Sequence, residues 1–199
     1  MSEHAYAIAT LVVAAGACLR GALVLLLAVR TFLGRRGFAT LRIDRGFLLT
    51  APEPVLMIAL AWSLHARAPD PSDAGDAVLA AALVGAVLLL GGWLLVLWTF
   101  ASWPSIFVGH ALLHDHRLVT HGAYGLVRHP VYLGALLIWI GLAVAFASGW
   151  TLAIAVLYVL PAYLLYMRDE EAMLEEAFGE AYRRYRAKVP MLLPRLARQ

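Results

Sequence analysis

The sequence predicts an all-α fold: a polytopic membrane bundle of about five spanning helices, followed by a cytoplasmic amphipathic helix. Three observations predict it. Of the 199 residues, 62% are hydrophobic and 15% charged, against about 45–50% and about 25% in an ordinary soluble domain. Several apolar stretches reach the roughly 20 residues that a helix needs to cross the hydrocarbon core. The basic residues, 15 Arg and one Lys, lie beside those stretches, which is a topology signal. That placement argues against nucleic acid as the partner of a chain with net charge +3. Cys18 is the only cysteine, so intramolecular disulfides, thiolate zinc clusters and dithiol redox chemistry are excluded.

The spans follow in order. The first covers about Ala5–Val29 and carries Arg20. No cleavable leader is expected, because a basic n-region is missing and the apolar run continues toward Arg20 and Arg30. The second, about Gly46–Leu64, is interrupted by Pro52-Glu53-Pro54 and is the least regular. Ionised groups at membrane depth are expensive and face a cavity or a partner. Arg20 and Glu53 therefore either pair with each other or lie outside a span that starts deeper. The third, about Ala77–Trp98, has no charged residue. The fourth, about Pro130–Ala147, and the fifth, about Thr151–Tyr166, are joined by Ser148-Gly149-Trp150, which fits only a tight helical hairpin.

Loop charge sets the orientation. Arg30–Arg45 holds five arginines and one aspartate, whereas Ala66–Asp76 holds Arg67 against Asp70, Asp73 and Asp76. The positive-inside rule places the first loop in the cytoplasm and the second outside. Five spans then put the N-terminus outside and the tail from Met167, with seven basic residues, inside. Residues 1–199 read as one domain, with N-terminal spans in 1–103 and the chemistry in 104–199.

The polar chemistry concentrates there. Five of the seven histidines lie between His110 and His129. Gly122 and Gly125 bracket Tyr124 in a turn-rich loop. Pro130 suits the first turn of the fourth span, where its missing N–H costs nothing. Arg128 and His129 beside that helix N-terminus make an anion site for a carboxylate or phosphate. The bland alternative is that Arg128 snorkels at the headgroups. Past the fifth span, Arg168-Asp169-Glu170-Glu171 opens a helix with apolar positions at Leu174, Phe178, Tyr182, Tyr185 and Val189, the spacing of an amphipathic face. There the alternatives are a solvated first turn and a glutamate that meets a ligand held by the preceding loop. His110 and His114, with Asp115 and His116, have helical metal-ligand spacing. Without HExxH, and with Trp103-Pro104 upstream, no metal is assigned.

Two strings, HRLVTHGAYGLVRHPVYLG (His116–Gly134) and RDEEAMLEEAFGEAYRRYRAKVPMLLP (Arg168–Pro194), resemble the isoprenylcysteine carboxyl methyltransferase and phospholipid methyltransferase superfamily. The His-x-Leu-Val, Gly-x-Tyr, Arg-His-Pro-x-Tyr-x-Gly, Arg with Glu-Glu and Phe-Gly-x-x-Tyr elements occur in order over about the last 90 residues. The resemblance implies S-adenosyl-L-methionine as methyl donor in a cytoplasm-facing pocket without a Rossmann domain. It places His116, Leu118, Val119, Tyr124, His129, Pro130 and Tyr132 against the cofactor, with Glu171 and Glu170 completing its site and Arg128 at the helix N-terminus beside it. Arg168 and Glu171 take the catalytic positions, Arg168 nearer the acceptor. The resemblance implies an amphiphilic or lipid acceptor that enters from the bilayer, and no obligate protein partner. The arginine- and alanine-rich composition points to a bacterial inner membrane. An NADPH-dependent reductase of the sterol type is the competing class, and it is usually longer and richer in basic residues. A non-enzymatic membrane protein is the third reading.

Overall fold

The computed structural model describes residues 2–33, 38–42, 44–103, 110–113 and 117–194. Helix α1 (Ser2–Leu33) is followed by strand β1 (Phe38–Arg42), α2 (Arg45–Thr50), α3 (Glu53–Ala66) and α4 (Asp76–Ser102). Strand β2 (His110–Leu113), α5 (Ala123–Leu126), α6 (Pro130–Ala145), α7 (Gly149–Ile154), α8 (Leu160–Phe178) and α9 (Glu180–Lys188) complete the chain. The bundle is helical, as predicted. It adds a short antiparallel pairing of β1 with β2, with Arg42 opposite His110, which the sequence pattern does not announce.

Among the described residues, four helical stretches have the length and apolarity to cross a bilayer: Ser2–Leu33, Arg45–Ala66, Asp76–Ser102 and Gly149–Phe178. The fourth expected span is the shorter Pro130–Ala145. Its 16 residues rise about 24 Å, and ten of them are buried. This helix is therefore the centre of the bundle rather than a lipid-facing wall.

The breaks have local causes. Asp44 caps α2 by accepting from the Phe47 N–H at 2.9 Å. Pro52 and Pro54 supply no N–H, so α2 ends and α3 restarts with Pro54 in its first turn. Between α7 and α8 a single π-helical turn spans Ala155–Val159. It ends two residues before Pro161, whose missing donor leaves that turn free to widen. The helix continues through it, so Gly149–Phe178 is one body of 30 residues.

That continuity corrects one expectation. Arg168–Glu171 is not the first turn of a separate tail helix, because no breaker separates it from Tyr166. It lies in the middle of α8, and no helix-terminal dipole acts on its carboxylates. The break comes at Gly179, whose φ of 51° suits a residue without a Cβ.

The core joins Val13 and Ala17 of α1, Met57 and Ala61 of α3, Leu89 of α4, and Ile138, Trp139 and Leu142 of α6 to Val159, Tyr163 and Met167. Helices α4 and α6 pack antiparallel through two glycine pairs. A Cβ on Gly85 would lie 2.5 Å from the Gly141 carbonyl oxygen, and one on Gly92 would lie 2.5 Å from that of Gly134. Small residues of this kind let membrane helices approach to backbone contact.

Candidate active site

Three segments build the site: the loop 117–129, the N-terminal turn of α6, and the second half of α8 with α9. Gly122 takes φ 60°, and a Cβ there would collide with the Ser102 hydroxyl. That hydroxyl instead accepts from the Ala123 N–H at 3.1 Å, which fixes the loop to the end of α4. Gly122 caps one helical turn, α5, which contains Gly125, where the sequence predicts only loop. Pro130 opens α6 as expected, with His129 at the N-cap.

The chain beyond α9 clamps this loop. The backbone N–H groups of Arg128 and His129 donate to the carbonyls of Pro190 and Met191 at 2.9 and 3.1 Å. The Arg128 guanidinium donates to the carbonyls of Arg186 and Val189, at 3.2 and 2.6 Å, and so caps the C-terminal end of α9. Tyr185 donates its hydroxyl proton to the Tyr124 carbonyl at 2.7 Å.

Arg128 Nε and His129 Nε2 both meet Glu171 Oε1, at 2.7 and 3.0 Å. Burial of the His129 ring disfavours its imidazolium form. The hydrogen bond to Glu171 and the negative charges of Glu170 and Glu171 together outweigh that burial and raise its pKa above the ordinary value. Glu170 Oε2 approaches His129 Nδ1 at 3.5 Å, too far for a good hydrogen bond, and is a buried oxygen without a hydrogen-bond partner. The buried Tyr182 hydroxyl has none either.

A pocket gathers most of the residues singled out from the sequence. Leu118, Val119, Tyr124, Arg128, His129, Pro130, Tyr132 and Glu170 line it together. Glu171 sits behind them, buried and paired. His116 lies outside the described residues, as do His114 and Asp115 of the weighed metal cluster. Among the described residues no group of three metal-ligating side chains forms. Arg168 is exposed and lines neither this pocket nor the cavity beside it. Sequence reasoning missed Trp103, Arg117, Val131, Tyr166, Met173 and the tail residues as lining. Tyr182 was legible as an apolar position and as the tyrosine of Phe-Gly-x-x-Tyr, and Tyr185 only as an apolar position.

The adjoining cavity, of about 320 Å³, is mostly apolar. Leu23, Val24, Leu27 and Phe32 of α1 line it, with Phe47 of α2 and Val96 and Phe100 of α4. Val131, Tyr132 and Tyr166 face both spaces and form their common wall. The Tyr132 ring meets those of His129, Tyr163 and Tyr166 with centroids 5.8, 5.1 and 5.5 Å apart. Polar groups cluster at the α1–α3 side of the cavity. Arg20 pairs with Glu53, which settles the open sequence question in favour of pairing. Arg20 donates to the Tyr163 hydroxyl at 2.8 Å, and Trp139 Nε1 donates to Glu53 at 2.6 Å.

Residues 80–181 match the family profile described as phospholipid methyltransferase. A protein-S-isoprenylcysteine O-methyltransferase of Schizosaccharomyces pombe is 35% identical over 80 residues, 40% of this chain and 34% of that protein. A probable protein-S-isoprenylcysteine O-methyltransferase of Oryza sativa subsp. indica is 34% identical over 80 residues, 40% of this chain and 42% of that protein. A protein-S-isoprenylcysteine O-methyltransferase of Xenopus laevis is 32% identical over 118 residues, 56% of this chain and 40% of that protein. The chain thus spans 34–42% of the length of these curated relatives.

Proposed function

The chain belongs to the phospholipid methyltransferase family, and on that premise we propose that it is an integral membrane enzyme that methylates an amphiphilic acceptor, with S-adenosyl-L-methionine as donor. The observation that carries this reading is the pair of adjoining spaces. One is polar and aromatic, the other apolar, and Val131, Tyr132 and Tyr166 divide them. A water-soluble cofactor and a lipid-soluble acceptor need that separation, with their reacting atoms meeting at the wall.

The lining fits this cofactor chemically. Its ammonium and sulfonium are cationic, and Glu170 offers a buried carboxylate oxygen with no hydrogen-bond partner. The Tyr182 hydroxyl is a second unpartnered buried polar group. The rings of Tyr124, Tyr132, Tyr166 and Tyr185 present faces that attract a cation. Leu118, Val119 and Pro130 supply apolar contact for a nucleoside. Glu171 acts behind this layer by holding Arg128 and His129 in place.

When bound, S-adenosyl-L-methionine would supply a sulfonium methyl group for transfer to a lone pair of the acceptor, with a neutral thioether as the leaving group. The protein's part is orientation and exclusion of water. Tyr132 and Tyr166 align the two reactants across the wall. The clamp of α9 on the loop 117–129 closes the cofactor side. By the loop charges this side faces the cytoplasm, and the acceptor arrives from the bilayer. A reductase would need several basic residues for the cofactor phosphates, whereas of the two lining arginines, Arg117 and Arg128, the second is already committed to Glu171 and two carbonyls.

The test is cofactor binding by the detergent-solubilised chain, with Tyr182→Phe and Glu170→Gln as variants. S-Adenosylhomocysteine should stabilise the wild type and NADPH should not. Tyr182→Phe removes a buried hydroxyl that has no partner, so the free protein keeps or gains stability while cofactor affinity falls. Glu170→Gln should weaken binding about tenfold, the worth of one charge-assisted hydrogen bond. Unchanged S-adenosylhomocysteine affinity in both variants would remove the cofactor from this pocket.

A further inference from the structure

The Arg20–Glu53 pair has no place in the cofactor pocket and precedes residue 80, where the family match begins. Arg20 is 7% and Glu53 3% exposed. Stability alone does not explain such a pair, because well-packed apolar residues of similar volume often stabilise a fold as well or better. Ionisable groups retained within a membrane characteristically serve a ligand or ion path, and both of these side chains line the acceptor cavity.

Their position within that cavity is specific. Arg20 donates to the Tyr163 hydroxyl, and the Tyr163 ring packs on Tyr132 at 5.1 Å. Tyr163 is also one helical turn from Tyr166 on α8. The ion pair therefore stands beside the dividing wall, where the acceptor's reacting end must come. Glu53 is fixed from the other side by Trp139, so four helices hold the pair rigidly. Leu25 and Ala51, which also line the cavity, are exposed on the outer surface and mark a side opening for a lipid tail.

We infer that Arg20 and Glu53 select the acceptor by receiving a net-neutral, hydrogen-bonding head, uncharged or zwitterionic, while its tail leaves between α1 and the α2–α3 break. This rests on the methyltransferase reading. The electrostatic reason is that a paired cation and carboxylate carry no net charge. Together they offer a donor and an acceptor side by side, which complements a group bearing both. A head with net charge gains no more from one member than it loses to the other, and it still gives up its hydration. Acceptor choice would thus come from the N-terminal helices, and the cofactor site from the part that matches the family.

The test uses two ligands with one tail: S-farnesylcysteine, a zwitterion, and N-acetyl-S-farnesylcysteine, an anion. Binding to the detergent-solubilised full chain is read by thermal stabilisation, so turnover is not required. The wild type should bind the zwitterion about tenfold more tightly or better, the range of one or two charge-assisted hydrogen bonds. The double variant Arg20→Met/Glu53→Leu should bring the two within about threefold, with S-adenosylhomocysteine affinity unchanged as the check on folding. Glu53→Gln, which leaves Arg20 as a net cation, should turn the preference toward the anion. A wild type that prefers the anion or binds neither ligand overturns the inference. So does a preference that survives in both variants. Loss of S-adenosylhomocysteine binding in the wild type would instead overturn the cofactor reading.

Discussion

Arg128 Nε lies 2.7 Å from Glu171 Oε1, an ion pair that ties the loop before α6 to the middle of the last long helix. Both side chains are below 10% exposed. Glu171→Ala would leave the guanidinium buried beside His129 without its carboxylate. Breaking a buried pair in this way costs about 3–5 kcal/mol, so the variant should melt well below wild type before any cofactor is added. Arg168→Ala, three residues earlier on an exposed position, should shift stability by about 0.5 kcal/mol or less and leave turnover unchanged. A large loss of turnover with intact cofactor affinity in Arg168→Ala would instead support the acceptor role that the family resemblance implies for it.

The raised pKa of His129 sets a pH dependence. The folded chain holds the imidazolium proton more tightly than the unfolded chain does. The resulting stabilisation is fully present below the unfolded value of about 6.5 and is lost as pH rises through the higher folded value. Melting temperatures of the ligand-free protein should therefore fall on going from mildly acid to alkaline buffer, and His129→Gln should flatten that slope. Equal slopes in the two proteins would count against a charged His129.

The glycine seam between α4 and α6 predicts a sharp steric response. Gly92→Leu and Gly134→Val each force a side chain into backbone, and overpacking of this kind costs about 1–3 kcal/mol or more. Gly91→Ala should be harmless, because a Cβ there meets nothing within 4 Å. Detergent melting curves of the three variants separate the seam from a general intolerance of substitution in α4.

The arginine bias predicts a topology that labelling can check. Cysteines placed at Ser72 and at Leu193, both exposed, should react with impermeant reagents on opposite sides of the membrane. Cys18 sits partly buried within α1 and is best replaced first. Same-side labelling would reverse the placement of one of these two segments.

The existence of the helices was legible because apolar runs of spanning length have few other fates. Half of the pocket lining was legible because Tyr124, His129, Pro130 and Tyr132 crowd into a short glycine-marked stretch. Other features were hidden by their form. The abrupt rise in polarity after Tyr166 looks like a helix start, yet the backbone breaks only at Gly179. The glycines at 85, 92, 134 and 141 read as ordinary composition, because a seven-residue spacing has meaning only once α4 faces α6. Strands β1 and β2 are too short to carry a periodic signal. Tyr182 and Tyr185 have the spacing of an apolar face whether they pack against lipid, core or ligand.

The unbroken helix Gly149–Phe178 runs about 45 Å, more than the roughly 30 Å of hydrocarbon it must cross. Such a helix answers a thicker or thinner bilayer by tilting. Tyr163, Tyr166 and Glu170 ride on its middle and second half, so the linings of both cavities move with one lever. Their separation is then set by side chains one or two turns apart, not by lipid thickness. Host membranes of different acyl-chain length should change how readily an acceptor reaches the side opening while leaving the alignment at the dividing wall intact.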